Sequence, residues 1–249
     1  YSCTTNYNFS DNTGNYKKEG DMYNREHSFP KSWFNEGQPM YSDIVHVVPC
    51  DGYVNNRRGN NPFGETKGET YKSNKGFSKL GKSTTPGYTG TVFEPNDIYK
   101  GDFARIYLYM ATCYESKISG WSSPMLAGNS YPAYKEWALN MLLKWAENDP
   151  VSEKEINRNN AAYGVQKNRN PFIDFPNLME YIWGDSISYE FDPATTVVTK
   201  QVVPEDGINL NRAFPGNAKS DSIGSCLSSG LADRDGVHGH KNDEAYTVS

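Results

Sequence analysis

Two polar segments decide the fold of the first part of this chain: NREHSFPKSWF at residues 24–34 and SDIVHVVPCDGYVNNRRGNNPFGE at residues 42–65. In the second segment, residues 43–48 are rich in β-branched side chains and are bounded by turn formers. This pattern predicts a short strand that ends at Pro49. We expect a helix to begin after Gly52, so that strand and helix follow one another within a few residues.

Histidine is scarce, and its positions are therefore informative. Of the four histidines, His238 and His240 lie near the end of the sequence, while His27 and His46 lie in the two polar segments. His27 directly follows Glu26. Because neighbouring side chains of a strand point to opposite faces, this pair can serve one site only where the backbone bends or a strand ends. The His238/His240 spacing occurs in metal sites, but in a polar tail we expect both to be inert.

The residue types in the two segments suit the hydrolysis of phosphodiester bonds. Histidine can accept a proton from water near neutral pH, since its unperturbed pKa is about 6.5. A hard divalent cation offsets the charge that develops on phosphate and prefers carboxylate and amide oxygens, which Glu26 and Asn55 carry. Forked hydrogen bonds to phosphate can come from three arginines, Arg57, Arg58 and Arg105.

Positive charge is concentrated in a segment that we expect to form loops. Residues 61–92 are rich in Gly, Ser, Thr and Lys. Residues 54–82 hold seven Lys or Arg against two acids, Glu65 and Glu69, a surplus of five positive charges. Two interpretations stay open: a solvated face of the protein, or a phosphate contact in which Lys67 takes part.

Amphipathic helices dominate the next hundred residues. Apolar residues recur at intervals of three and four in residues 102–118 and again in residues 133–147, which predicts two helices. Ser152 followed by Glu155 fits a capping box at the start of a third helix, and a short fourth is expected over residues 176–183. The Tyr and Trp residues of the first two helices have the spacing of core residues, so we do not expect them to stack on bases.

The composition limits the class of protein. The 249 residues are 36% hydrophobic, which is enough for one sizeable core. The formal net charge is −5, so the chain is not a basic protein that coats nucleic acid, and any phosphate-binding surface has to be local. An aromatic content of 14% and a mean hydropathy of −0.77 suit an exported protein.

Cellular location and redox state are only partly constrained. The chain has no apolar run approaching about 18 residues and no signal-like segment at its start. We expect a secreted or periplasmic protein whose leader is absent from this chain, with a cytosolic protein as the alternative. The four cysteines are widely spaced and form no CxxC pair, so disulfide bridges and buried thiols both stay open. They are Cys3, Cys50, Cys113 and Cys226.

We divide the chain into a catalytic domain, residues 1–184, and a C-terminal extension, residues 185–249. The extension carries ten acids against five Lys or Arg and has little helical periodicity. We assign it no chemistry.

Four ordered motifs resemble the endonuclease I family of bacterial extracellular and periplasmic nucleases, within the ββα-metal, or His-Me finger, group. They are the two segments quoted above, FEPNDIYKGDFARIYLYM at residues 93–110, and QKNRNPFIDFP at residues 166–176. The resemblance covers roughly residues 20–184. It implies an α+β fold in which a small ββα-metal core with short strands is backed by several helices.

The resemblance also implies roles for individual residues. His27 is expected to be the general base, Glu26 and Asn55 to ligate the metal, and Arg58 to take part in catalysis. Three further residues are expected to orient the site without binding the metal themselves: Asp43, His46 and Asn60. Candidate contacts to nucleic acid are Arg57, Arg105 and Lys67. Two positions depart from the family pattern: Phe175 stands where members often have His, and Tyr41 stands where some have an acid.

The activity implied is endonucleolytic hydrolysis of DNA, and also of RNA, with little sequence preference and 5′-phosphate products. The cofactor implied is a single divalent cation, Mg²⁺, with Mn²⁺ or Ca²⁺ as alternatives. Beyond the nucleic-acid substrate we expect no membrane association and no obligate protein partner. Two other classes stay open: a secreted carbohydrate-binding module, favoured by the Tyr, Trp and Asn content, and a surface-adhesion module with an inactive nuclease-like domain.

Overall fold

The computed structural model describes residues 1–2 and 14–194 of the chain. These residues form short antiparallel strands and several helices, which confirms the α+β prediction. Most of the predicted extension, with His238 and His240, lies outside the described residues, so the boundary at residue 184 stays a prediction. Of the cysteines, Cys50 and Cys113 are buried thiols, and the other two lie outside the described residues.

The described residues divide into two compact units. The first contains the described parts of Tyr1–Ser28 together with Val47–Asn96. The second contains Phe29–His46 and the described residues from Asp97 onward.

An antiparallel strand pair followed by a helix opens the first unit. Strand β1 (Tyr23–His27) pairs with β2 (Val47–Asp51), and helix α1 (Gly52–Arg58) starts directly after β2. Asp51 caps the helix, since its Oδ1 accepts a hydrogen bond from the Val54 backbone N at 2.9 Å. The predicted helix at this position is confirmed.

The strand predicted at residues 43–48 is wrong in its bounds. Strand β2 begins at Val47 and continues through Pro49. Asp43 Oδ1 accepts a hydrogen bond from the Val45 backbone N at 3.0 Å, and this local turn competes with extended structure. Pro49 is tolerated because β2 belongs to a two-stranded sheet, where every strand is an edge strand that can lack one N–H donor.

A three-stranded antiparallel sheet occupies part of the segment that was predicted to be loop. Strands β3 (Tyr71–Lys72), β4 (Lys79–Lys82) and β5 (Thr91–Glu94) pair in that order. The loop prediction for residues 61–92 is therefore wrong for these strands. Strand pairing depends on residues distant in sequence. A segment rich in Gly, Ser and Lys has no clear alternation of apolar and polar residues from which strands could be predicted. Buried apolar residues of this region are Phe63, Leu80, Val92 and Phe93.

Helices form most of the second unit. They are α2 (Lys100–Cys113), α3 (Glu115–Ile118), α4 (Glu136–Asn148), α5 (Glu153–Gln166), α6 (Pro171–Asp174) and α7 (Leu178–Ile182). Short 3₁₀ helices lie at Lys31–Phe34, Met40–Ser42 and Asp97–Tyr99, and one in the first unit lies at Asn74–Gly76. None of the described helices combines the length and the apolar character that spanning a bilayer demands.

The predicted helices are present, with differences at their ends. Tyr114, at φ −115° and ψ 31°, separates α2 from α3 within the first. The second begins at Glu136, because Lys135 before it has an extended backbone, with ψ 149°. The capping box is confirmed: Glu155 N donates to Ser152 Oγ at 3.3 Å, and Ser152 N donates to the Glu155 carboxylate at 2.9 Å. The short fourth helix is α7.

Aromatic side chains fill the core of the second unit, and for the Tyr and Trp residues of α2 and α4 this confirms the prediction from their spacing. The Phe29 ring is fully buried and lies 5.1 Å from the ring centroids of both Trp33 and Tyr107. These rings are core residues and not base-stacking platforms. The buried residues from the two predicted apolar stripes are Phe103, Ile106, Tyr107, Met110, Tyr114, Ile118, Tyr134, Trp137, Met141, Leu142 and Trp145.

Candidate active site

Helix α1 brings two polar side chains to a carboxylate on β1. Asn55 and Arg58 are three residues apart and therefore share one face of the helix. Both hydrogen-bond to Glu26 on β1. The strand pair and the helix that follows it thus join Glu26, Asn55 and Arg58 into one cluster.

Glu26 is a buried carboxylate, with 8% of the residue exposed. Arg58 Nη1 donates to its Oε1 at 2.5 Å, and the Tyr1 hydroxyl donates to the same oxygen at 3.4 Å. The Asn55 side chain is a further hydrogen-bond partner. Burial raises the pKa of Glu26, and the charge and hydrogen bond of Arg58 act in the opposite direction. The carboxylate is therefore held in place beside the Asn55 amide.

Arg58 is enclosed within the first unit. Its side chain is 0% exposed, and Nη2 donates to the Ser28 carbonyl oxygen at 2.7 Å. The guanidinium carbon lies 4.1 Å from the ring centroid of Phe63. We therefore correct the prediction that Arg58 is catalytic in the sense of touching substrate, because a buried guanidinium presents no donors to a phosphate. Its contacts make it a positioning residue for Glu26.

His27 is the last residue of β1 and lies opposite Val47 in the register. Its side chain is half-buried, whereas Glu26 is buried. The strand ends at His27, which is one of the two conditions under which neighbours such as Glu26 and His27 can serve a common site. His27 is thus partly exposed at the end of β1, next in sequence to Glu26.

The donor types of Glu26 and Asn55 fit a hard divalent cation. They supply a carboxylate and an amide oxygen on side chains close enough to hydrogen-bond to each other. Mg²⁺ keeps several of its waters and commonly binds through only one or two protein groups. Across residues 1–2 and 14–194, no group of three or more His, Cys, Asp and Glu side chains could hold a metal. These residues can therefore supply two ligands to a hydrated cation.

Asp43 and His46 belong to a buried polar cluster of the second unit. Asp43 Oδ2 accepts hydrogen bonds from the hydroxyls of Tyr109 and Tyr114, each at 2.7 Å, and Gln166 Nε2 donates to Oδ1 at 2.8 Å. His46 Nε2 lies 2.7 Å from a backbone carbonyl oxygen of the same unit. Both residues are 0% exposed. These contacts stabilise the second unit, and the role of Asp43 and His46 in orienting the site stays a prediction.

The structure contradicts the predicted contact between Arg105 and nucleic acid. Arg105 is buried, and its Nε and Nη2 donate to the two carboxylate oxygens of Glu155 at 2.6 and 2.8 Å. Its Nη1 donates to the Asp149 carbonyl oxygen at 2.8 Å. These are the donors that a phosphate would need. Arg105 is therefore a structural residue of the second unit.

The other candidates for contact with nucleic acid are exposed residues of the first unit. Arg57 lies on α1, and Lys67 lies in the segment before β3. Asn60, predicted to orient the site, is exposed in the turn after α1. Arg57 and Lys67 are exposed, as a contact with nucleic acid requires, and this contact stays a prediction.

Two neighbours of the Glu26 cluster, Tyr1 and Phe63, were not found from the sequence. The Tyr1 hydroxyl donates to Glu26 and accepts a hydrogen bond from Arg58 Nη1 at 2.5 Å, and the Phe63 ring lies against the same guanidinium. Both lie outside the short motif that contains Glu26. An aromatic residue has no chemistry that marks it as a neighbour of a carboxylate, so the sequence held no signal for either.

Comparison with known proteins assigns the chain to a family. The sequence profile described as Endonuclease I matches residues 1–177. The chain belongs to the Endonuclease I family, as its motifs predicted. Of the two departures from the family pattern, Tyr41 is exposed and Phe175 is buried in the second unit.

Individual relatives carry two kinds of name. An extracellular ribonuclease of Bacillus amyloliquefaciens is 40% identical over 167 residues, which cover 65% of this chain and 54% of the relative. An extracellular ribonuclease of Bacillus subtilis (strain 168) is 37% identical over the same length and coverage. An Endonuclease-1 of Buchnera aphidicola subsp. Baizongia pistaciae is 25% identical over 136 residues, 55% of this chain and 47% of the relative. The chain therefore spans about half the length of the relatives that it matches.

Proposed function

We propose that this protein is a metal-dependent endonuclease that hydrolyses phosphodiester bonds with little sequence preference. The observation that carries the proposal is the cluster on β1 and α1: the Glu26 carboxylate and the Asn55 amide hydrogen-bond to each other, and His27 follows Glu26 at the end of the strand. Two antiparallel strands and a helix that carry these residues are the arrangement expected of a His-Me finger core.

Glu26 and Asn55 are the residues that would hold the cation, and Mg²⁺ is the ion that their oxygens suit, with Mn²⁺ or Ca²⁺ as alternatives. When bound, the cation supplies positive charge that stabilises the negative charge developing on phosphate and leaving oxygen. The protein's own contribution is the geometry of the two donors. Arg58 fixes one oxygen of Glu26, and the Asn55 side chain comes from a helix whose start is fixed by Asp51.

His27 would act as the general base. Its neutral imidazole takes a proton from a water as that water attacks phosphorus. His27 is only half-buried at the end of β1, so water has access to that end of the strand. By resemblance to the family, the bond to the 3′ oxygen breaks and the product carries a 5′-phosphate. A histidine at this position therefore limits activity at acidic pH, where the imidazolium cannot accept a proton.

Arg58 would keep Glu26 ionised. A carboxylate this buried tends to take up a proton, and the guanidinium next to it opposes that tendency. A protonated Glu26 would be a poor metal ligand. Arg58 thus supports the reaction from a buried position, without touching substrate.

The proposed substrates are DNA and RNA. Relatives are named ribonucleases and an endonuclease. A site that binds phosphate through a cation and activates water does not in itself require or exclude the 2′-hydroxyl. Export is proposed as well, because two relatives are named extracellular, and scavenging of extracellular nucleic acid is the role that fits it.

A chelator-controlled assay tests the proposal. The protein is incubated with supercoiled plasmid and with a single-stranded RNA, with Mg²⁺ or with EDTA. We expect loss of supercoiled plasmid and shortening of RNA with Mg²⁺ only, together with 5′-phosphate ends. Retention of both substrates, combined with glycan binding that EDTA leaves intact, would instead support a carbohydrate-binding or adhesion module. Full cleavage in EDTA would contradict the metal dependence.

A further inference from the structure

The second face of α1 carries an arginine held by two aromatic rings. Arg57 Nη2 and Nε donate to the Tyr53 hydroxyl at 2.7 and 3.2 Å. Its guanidinium carbon lies 5.1 Å from the Tyr53 ring centroid and 5.6 Å from that of Tyr71, on β3. The two rings are packed edge to face, 6.2 Å apart. The side chain is therefore exposed yet held in one orientation.

The charge of Arg57 is not used inside the protein. In the described residues Arg57 forms no ion pair, and the partner of its hydrogen bonds is a neutral hydroxyl. This contrasts with Arg58, the next residue, whose guanidinium is buried against Glu26. The Tyr53 hydroxyl takes the Nε hydrogen and one Nη2 hydrogen of Arg57. The Nη1 hydrogens and the second Nη2 hydrogen remain, and this pair of nitrogens can donate forked hydrogen bonds to a phosphate.

The segment that contains Arg57 has a surplus of positive charge, and the nearest carboxylate in the described contacts is Glu19, which accepts a hydrogen bond from the Tyr71 hydroxyl at 3.4 Å. Of the seven Lys and Arg between residues 54 and 82, Arg58 pairs with Glu26, and Lys79 pairs with Glu94 at 3.1 Å. The other five are exposed. Of these, Lys72 follows Tyr71 on β3, and Lys75 lies in the 3₁₀ helix Asn74–Gly76 between β3 and β4. These five are Arg57, Lys67, Lys72, Lys75 and Lys82.

The position of Arg57 relative to the Glu26 cluster follows from the helix. At about 100° per residue, the mean direction of Tyr53 and Arg57 differs from that of Asn55 and Arg58 by roughly 150°. A helix with its side chains is about 10–12 Å across. Arg57 and the Glu26 cluster therefore lie on nearly opposite sides of the helix, too far apart for one phosphate to contact both.

We propose that Arg57, held by Tyr53 and Tyr71, is a backbone-phosphate anchor that binds a phosphate of the nucleic acid other than the one at the bond being cut. This inference rests on the proposed nuclease function and extends it to the substrate's footprint. The anchor recognises phosphate and not base, which agrees with hydrolysis that has little sequence preference. It makes affinity depend on substrate length, since a substrate too short to reach the anchor gains nothing from it.

The test measures binding without cleavage. His27→Ala serves as the background, and fluorescence anisotropy gives Kd for labelled single-stranded DNA of 2, 6 and 20 nucleotides at several salt concentrations. We expect Arg57→Gln to raise Kd for the 20-mer by roughly 3–10-fold. The slope of log Kd against log salt concentration (the salt slope) should fall by about the amount that one phosphate contact contributes. The rise in Kd should be smaller for the dinucleotide.

Matched variants separate an anchor from a general charge effect. Lys144→Gln removes an exposed positive charge on α4 and should leave the length dependence of Kd unchanged. Arg57→Lys should keep the salt slope but raise Kd, because it retains the charge and loses the fork. Tyr71→Ala should raise Kd in the same direction as Arg57→Gln.

Two results would overturn the anchor. One is an equal effect of Arg57→Gln and Lys144→Gln on the 20-mer, and the other is an effect of Arg57→Gln that does not grow with length. Neither result depends on cleavage. A lack of activity toward plasmid and RNA would disprove the nuclease function, and the binding experiment would still test the anchor separately.

Discussion

Arg58, with none of its side chain exposed, donates a hydrogen bond to Oε1 of Glu26 at 2.5 Å. The same carboxylate is thus the partner of a buried cation and the proposed ligand of a metal. Its charge is largely balanced before any metal arrives. We therefore expect modest affinity for the cation, in keeping with an ion that retains much of its hydration shell.

Replacing Arg58 should weaken both the fold and metal binding. Arg58→Met leaves a buried carboxylate without its cation, and breaking such a pair costs about 3–5 kcal/mol of unfolding free energy. The pKa of Glu26 should then rise further, because the charge and hydrogen bond of Arg58 that lower it are lost, and Mn²⁺ should bind more weakly by EPR titration. Arg58→Lys, which keeps the charge, should recover part of the affinity. Unchanged Mn²⁺ affinity in a folded Arg58→Met variant would remove Arg58 from its positioning role.

His27→Ala should abolish cleavage while leaving metal binding nearly intact. Loss of a general base costs on the order of 10²–10⁴ in rate, and the half-buried imidazole is not a core residue. Plasmid and RNA degradation measure the rate, and Mn²⁺ titration measures the site. A variant with wild-type activity would disprove the assignment of His27.

Glu26→Gln and Asn55→Ala should raise the metal concentration needed for half-maximal activity. Each removes an oxygen donor or its charge from the proposed site. Asn56→Ala is the matched control, since Asn56 is the exposed neighbour of Asn55 on α1. Metal titrations that coincide for Asn55→Ala and Asn56→Ala would count against Asn55 as a ligand.

The stability of the second unit should fall as pH rises toward neutrality, because of Asp102. Burial, followed by the nearby charge of Glu155, raises the pKa of Asp102 to about 7, and the charges of Lys154 and Arg105 oppose this. The folded state then binds a proton more tightly than the unfolded state, for which the ordinary pKa is 3.8. Stability from this group is therefore present below pH 3.8 and is lost as pH rises to about 7.

Asp102→Asn mimics the protonated form and should remove that loss. The measurement is the melting temperature of the variant and of the wild-type protein at pH 5 and at pH 8. The melting temperature of the variant minus that of the wild type should be larger at pH 8 than at pH 5. Asp97→Asn, which removes an exposed carboxylate of the same unit, controls for the loss of a charge. An identical difference at both pH values would argue against a raised pKa of Asp102.

Asp43→Ala should destabilise the protein strongly. It leaves the hydroxyls of Tyr109 and Tyr114 and the Gln166 amide without their buried acceptor. Unsatisfied buried groups cost about 1–3 kcal/mol each, so we expect a loss of roughly 3 kcal/mol or more and a fall in melting temperature of about 6–12 °C. Ser42→Ala, at an exposed neighbour, should change little.

The sequence predicted the parts of this protein that local patterns encode. The apolar stripes of α2 and α4, the capping box at Ser152 and the helix start at Gly52 depend on residues within a few positions of each other. The motifs around His27 also indicated the family, because the order and residue types of motifs can be recognised in the sequence without knowing any contacts.

Other features were decided only by contacts between distant residues. The burial of Arg58 against Glu26, 32 positions away, and of Arg105 against Glu155, 50 positions away, turned two predicted phosphate ligands into internal counterions. The same holds for the three-stranded sheet in the segment that looked like loop. A charged side chain has the same local sequence whether it faces solvent or a buried carboxylate, and only the tertiary fold sets which of these environments it meets.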